Sequence, residues 1–150
     1  MKINILSALV LALGLVVSAC GGAPAASASN TSPEPSAVED RASLVSALEA
    51  AGADVETGDS ISQPFLAVEG SLIKVNGADV QVFEYDSTEA MELDSSQIAP
   101  DGSSNATTMI TWMDTPHFYK SGRIIALYVG SDESILSLLE SALGAQFAGG

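Results

Sequence analysis

The sequence predicts an α+β fold, with a single antiparallel or mixed sheet and about three helices packed mainly on one of its faces. Three observations carry this. Apolar residues recur at helical spacing in three separate stretches, after Ser36, after Ser87 and after Asp132. Two hairpin signals, at Asn76-Gly77 and Ser121-Gly122, lie between them. Strands joined by short turns and separated by helices suit one layered sheet, and no repeat of solenoid length competes with that reading.

In order, Ser36-Ala37-Val38-Glu39 has capping-box spacing, in which the serine oxygen takes a free amide and Glu39 reaches back. Val38, Ala42, Leu44, Val45, Leu48 and Ala51 form a broad apolar face, and Gly52 supplies a left-handed stop, so a helix is predicted over 37–51. Ala53 to Thr57 reads as a short strand, Gly58-Asp59-Ser60 as a turn, and Pro64 to Val68 as a second extended piece. From Leu72 to Tyr85 the signal is stronger. Asn-Gly is the preferred pair of a two-residue type I′ turn, which sets Val75 opposite Ala78, Lys74 opposite Asp79 and Ile73 opposite Val80. That register places Ile73, Val75, Val80 and Val82 on one face and leaves Phe83 and Tyr85 to the other, which must then be covered too.

Asp86 or Ser87 is positioned to cap a second helix whose apolar face, Ala90, Met91, Leu93 and Ile98, is interrupted by Asp94. Pro100-Asp101-Gly102 ends it. Thr107 to Trp112 is β-branched and apolar enough for a strand. A second hairpin runs from His117 through a Ser121-Gly122 loop to Gly130, placing Lys120 opposite Arg123; its return strand, Arg123 to Val129, is the most apolar and belongs at the sheet centre. Ser131 or Asp132 caps the last helix, in which Ile135, Leu138, Leu139 and Ala142 recur before Gly144 closes it.

Ahead of the folded part the chain changes character. Ile3 to Val17 is apolar apart from Asn4, Ser7 and Gly14, with Lys2 its only charge, the layout of a secretory signal. A membrane-spanning helix wants about 20 apolar residues, and this run is shorter. Val17-Ser18-Ala19-Cys20 resembles the lipobox of bacterial lipoproteins, in which an aliphatic and two small residues precede an obligatory cysteine. The resemblance implies lipid transfer to the Cys20 sulfur, cleavage before it, and fatty acyl chains such as palmitate holding the protein to a membrane outside the cytoplasm. Where the host has two membranes, Gly21 lacks the aspartate that resembles an inner-membrane retention signal, which implies the outer one. Gly21 to Ser36 is Ala, Ser, Pro and Gly with almost nothing to bury, a flexible tether of roughly 20 Å reach. The expected organisation is therefore a signal peptide over 1–19, a lipidated tether over 20–36 and one globular domain over 37–147. Within residues 40–147, the Pro116-His117-Phe118-Tyr119 and Leu127-Tyr128-Val129-Gly130 segments loosely resemble small bacterial envelope lipoproteins, a likeness that implies no activity.

Charge narrows the partners. The chain has 5 Lys+Arg against 19 Asp+Glu, a net −14. Without Lys2 the balance is 4 against 19, or −15. Such a surface repels nucleic-acid phosphates and gains nothing from anionic lipid, so the acyl chains must do the holding.

Catalytic chemistry is scarce. His117 is the only histidine and Cys20 the only cysteine, so a zinc site, which needs several N or S ligands, is not expected, nor is any cofactor. Asp101 to Asn105 departs from calcium-loop spacing and reads as a turn. No Gly-x-Ser-x-Gly elbow accompanies the serines. One local oddity remains: His117, Lys120 and Arg123 place three cationic or titratable groups on one hairpin of an acidic chain, with Tyr119 and Trp112 as aromatic neighbours. The plain reading is a solvated tip; the sharper one is a contact for an anion or an envelope partner. The expected function is a non-catalytic binding or accessory module at the membrane, with an envelope protein or small ligand as partner. The alternative is an envelope-polymer hydrolase using His117 and a nearby acid.

Overall fold

A computed structural model of the chain describes residues 37–106 and 108–150. The lipobox, Cys20, the tether and the Ser36 half of the expected capping box lie outside the described residues, which belong to a unit running from Pro33 to Gly150. Helix α1 (Arg41–Ala50) starts later than the sequence pattern suggests, because Asp40 is its N-cap. The Asp40 carboxylate accepts from the Ser43 amide at 2.9 Å, and the Ser43 hydroxyl accepts from the Asp40 amide at 3.0 Å, a reciprocal box four residues downstream of the expected one. Leu44 and Leu48 are fully buried, whereas Ala42 faces out, so the apolar stripe is narrower than expected.

The main sheet has six strands: β1 (Val55–Ile61), β2 (Gly70–Val75), β3 (Ala78–Glu84), β6 (Pro116–Ser121), β7 (Ile124–Val129) and β8 (Ala148–Gly149). Their order is β1-β2-β3-β7-β6-β8, and every adjacent pair is antiparallel. As expected, the apolar β7 lies in the interior of the sheet. The β2–β3 hairpin has the anticipated register, with Asn76 and Gly77 at φ of 52° and 85° and Lys74 bridging Asp79 at 2.6 Å.

Other boundaries move. Gly58-Asp59 is a bulge inside β1 rather than a turn ending it. Pro64 to Val68 is irregular, its Phe65 and Leu66 plugging the core. The strand expected over 107–112 is confined to a two-strand ribbon of β4 (Ser104–Asn105) and β5 (Thr108–Met109). Trp112 lies beyond the ribbon and donates its indole N–H to the Gly102 carbonyl at 2.7 Å. Strand β8 lies beyond Phe147, the expected end of the folded part.

Two cores flank the sheet. Helices α1 and α3 (Glu133–Leu143) cover the face made by Ile73, Val75, Val80, Val82, Ile124 and Ala126. Helix α2 (Thr88–Ser95), capped by Ser87, covers the other with Phe65, Phe83, Phe118, Ile125 and Leu127. The helices thus lie mainly on one face, and the side carrying Phe83 and Tyr85 is closed as the strand pattern requires. Among the described residues no helix is long and apolar enough to cross a membrane.

The N-caps give an acid signature. Donation from the Ser43 backbone and hydroxyl, helped by Arg123, holds the Asp40 carboxyl below its ordinary 3.8; the Ser134 hydroxyl and amide do the same for Asp132, the α3 cap. A carboxyl with a lowered folded pKa contributes stability that is present above its unfolded value and lost as pH falls through the folded one. Asp40→Asn/Asp132→Asn, which keeps good capping residues, is therefore expected to match wild type near neutrality. Below about pH 4 its stability should fall less steeply. Melting temperatures followed from about pH 6 down to pH 2.5 check this, and parallel curves would refute it.

Candidate functional site

The second hairpin disperses the basic residues. Its two-residue loop is Gly122-Arg123 rather than Ser121-Gly122, since Ser121 pairs with Ile124 and Lys120 with Ile125. Gly122 has φ 52° and Arg123 no positive φ, the pattern of a type II′ turn with glycine first. The pairing slides along the strand, so Lys120 and Arg123 are not opposite each other.

Each cation then finds its own partners. Arg123 bridges Glu84 at 2.5 Å and Asp40 at 3.7 Å. Lys120 points to the α2 side, reaching Glu92 at 2.5 Å and the Ser95 hydroxyl at 3.3 Å, with its ammonium 5.3 Å from the Phe147 ring centroid. His117 lies on the opposite face, buried and stacked on Tyr128 with ring centroids 6.2 Å apart. Its Nδ1 lies 2.7 Å from Gln146 Oε1, which ties the ring to the segment entering β8. The expected aromatic neighbours also part company. Tyr119 packs with the α1–α3 core, while Trp112 meets Phe65 and Phe118 edge-on at 5.7 and 5.8 Å. The structure therefore brings none of His117, Lys120 and Arg123 together.

The hairpin tip is instead occupied by the chain's own entry into the fold. The Arg123 amide donates to the Glu39 carbonyl at 2.9 Å, the Ser121 hydroxyl to the Val38 carbonyl at 2.7 Å, and Val38 is buried.

A different site emerges around Asp94, which sequence periodicity treats as an interruption. Met91, Asp94 and Ser95 share one stripe of α2, Ile98 follows just past its end, and all four are buried. Asp94 is 7 % exposed, and among the described residues it is the only buried carboxylate. Its Oδ2 accepts from the Tyr85 hydroxyl at 2.7 Å and from the Ala67 amide at 2.8 Å. Burial, then the hydrogen bond to Asp94 and its charge, push the Tyr85 phenol well above its ordinary range, so it remains a donor. The two bonds thereby link α2 to the residue that follows β3 and to the 64–68 loop.

Beside this linkage lies a solvent-open cavity of about 250 Å³, lined by Ala67, Val68, Tyr85, Ala90 and Leu93 with Asp86, Asp94 and Gln97. Leu93 is 69 % exposed at its rim, a large apolar side chain left in water. The signal that could have found the site was present in the sequence: a charge at i+3 from Met91 and i−4 from Ile98 sits on the apolar stripe, not beside it.

Among the described residues no group of three or more His, Cys, Asp or Glu side chains could hold a metal ion. Asp101 accepts from the Ser103 amide and hydroxyl in a local turn, and Asp114 accepts from the Thr115 amide, so the acids nearest the sequence-level proposals have neighbours of their own. No protein-family model, curated protein or solved structure matches this chain.

Proposed function

We propose that the chain is a lipid-anchored envelope protein whose folded part acts as a non-catalytic binding or accessory module. The anchor is Cys20, and the tether lets the folded part work within roughly 20 Å of the membrane, in the outer membrane where the host has two. The observation that supports the binding role is a small, half-open hollow beside Asp94 whose lining sets apolar walls next to Asp86, Asp94 and Gln97. The acid–base groups favour binding over hydrolysis. His117 is bound to Gln146 and stacked on Tyr128, so it is committed to holding β6 and β8 together.

Two measurements test the reading. Mass spectrometry of the protein from its own host is expected to show an acylated Cys20 and no residues 1–19; a free thiol or an intact Met1 chain as main product would remove the anchor. Native mass spectrometry of the same material is expected to show a retained ligand or partner, and turnover of envelope polymers that depends on His117 would replace the binding role by a catalytic one.

A further inference from the structure

We propose that the Asp94 cavity is a site for a small primary ammonium ligand carrying a short apolar body. The inference rests on the binding-module reading and names the ligand class it would serve.

The carboxylate supplies the specificity. Both protein donors converge on Oδ2 of Asp94, and among the described residues Oδ1 has no hydrogen-bond partner. No side-chain oxygen is at once fully enclosed and unsatisfied, so Oδ1 touches solvent, and Asp94 lines the cavity. With Oδ1 left to solvent, a cation beside it would exchange water for a direct charge-assisted contact. The lining adds Asp86 and the Gln97 amide and contains no basic side chain. Lys120 on β6 and Arg123 in the turn that follows it are already engaged with Glu92 and with Glu84 and Asp40.

The kind of cation follows from the geometry. A guanidinium binds best through both oxygens of a carboxylate, and Oδ2 is already taken by two donors. Calcium wants six to eight oxygens, and two carboxylates among alanine, valine and leucine walls fall short of that. An ammonium needs only point acceptors, which Oδ1, Asp86 and Gln97 offer, while Val68, Ala90 and Leu93 provide an apolar wall for its carbon chain. At about 250 Å³ the cavity lies just under the roughly 300–1,000 Å³ of drug-sized sites, so the ligand is small.

The test is calorimetric titration of hexylammonium into the full chain in zwitterionic nanodiscs, against empty discs. One saturable site is expected. Asp94→Asn retains an oxygen for Tyr85 and Ala67 but replaces the open acceptor by an amide N–H₂, and should weaken binding about tenfold or more. Ala90→Leu fills the cavity from an exposed helix position without touching the carboxylate, and should do the same. Hexanol, lacking the charge, and methylammonium, lacking the chain, should each bind at least about tenfold more weakly. No saturable heat, equal binding by both variants and wild type, or hexanol matching hexylammonium would each overturn the proposal. A ligand of other chemistry retained in native mass spectrometry would overturn the amine and leave the module intact. Failure of both measurements would remove both.

Discussion

Asp94→Ala is expected to destabilise the fold by about 2–4 kcal/mol, because it strands the buried Tyr85 hydroxyl at about 1–3 kcal/mol and removes the acceptor of the part-buried Ala67 amide, worth about 1 kcal/mol. The Tyr85 side chain lies almost wholly in the core, and neither its hydroxyl nor the Ala67 amide has another acceptor in place. Asp94→Asn should lose only about 1 kcal/mol, since an amide oxygen can take both bonds and forfeits only their charge assistance. Tyr85→Phe alone should also cost about 1 kcal/mol. Adding Tyr85→Phe to Asp94→Ala should then recover part of the loss, because the stranded hydroxyl disappears with its ring otherwise kept. Urea unfolding of the four proteins gives the cycle. An Asp94→Ala variant within about 0.5 kcal/mol of wild type, the usual surface scale, would show that the carboxylate does not bind the 64–68 loop to α2.

This result bears on what the sequence could convey. The Asn76-Gly77 hairpin was legible to the residue because a type I′ turn needs positive φ at both centres and the flanking alternation admits one register. At Ser121-Gly122-Arg123 the same logic misplaces the loop. A single glycine serves as the second residue of one turn or the first of another, and alternation cannot decide, since both registers keep Tyr119 and Ile124 on the same face. The observed turn also meets Glu39, more than eighty positions away, a contact local pattern does not reveal. The start of α1 fails for a related reason: Ser36 and Asp40 both offer caps, and the choice goes with Asp40, which also meets Arg123.

The candidate site was hidden by the convention that charges mark the outside. Tyr85 was readable as a buried strand residue and Asp94 as an oddity on α2, but their pairing is set by how the helix lies across β3, which local pattern does not encode. On the basic hairpin the expected Lys120–Arg123 register failed, and closeness in sequence did not become closeness in space. Two cations and a histidine close in sequence alternate between sheet faces and a turn, and each meets an acid, an aromatic ring or an amide that sequence places elsewhere.

Gly122→Ala is expected to destabilise the protein by about 2–4 kcal/mol, well beyond Gly77→Ala at about 1 kcal/mol. The two glycines separate two causes. Both have positive φ, 52° and 85°, so both substitutions strain the backbone. A Cβ at Gly77 would meet nothing within 4 Å, whereas one at Gly122 would collide with the Glu39 backbone, which cannot rotate aside as a side chain can. Relief requires lifting residues 38–40 off the hairpin, breaking the bonds from Arg123 to Glu39 and from Ser121 to Val38. It also exposes Val38, whose burial contributes about 1.5 kcal/mol. Hydrogen exchange at the Arg123 amide should therefore accelerate in Gly122→Ala and not in Gly77→Ala. Equal destabilisation by the two substitutions, with the Arg123 amide still protected, would mean that the hairpin does not hold the chain at its entry into the fold. If Cys20 carries the lipid proposed above, tension on it would reach the described fold through residues 38–40. The hairpin that looked like a partner contact would then be the latch that resists it.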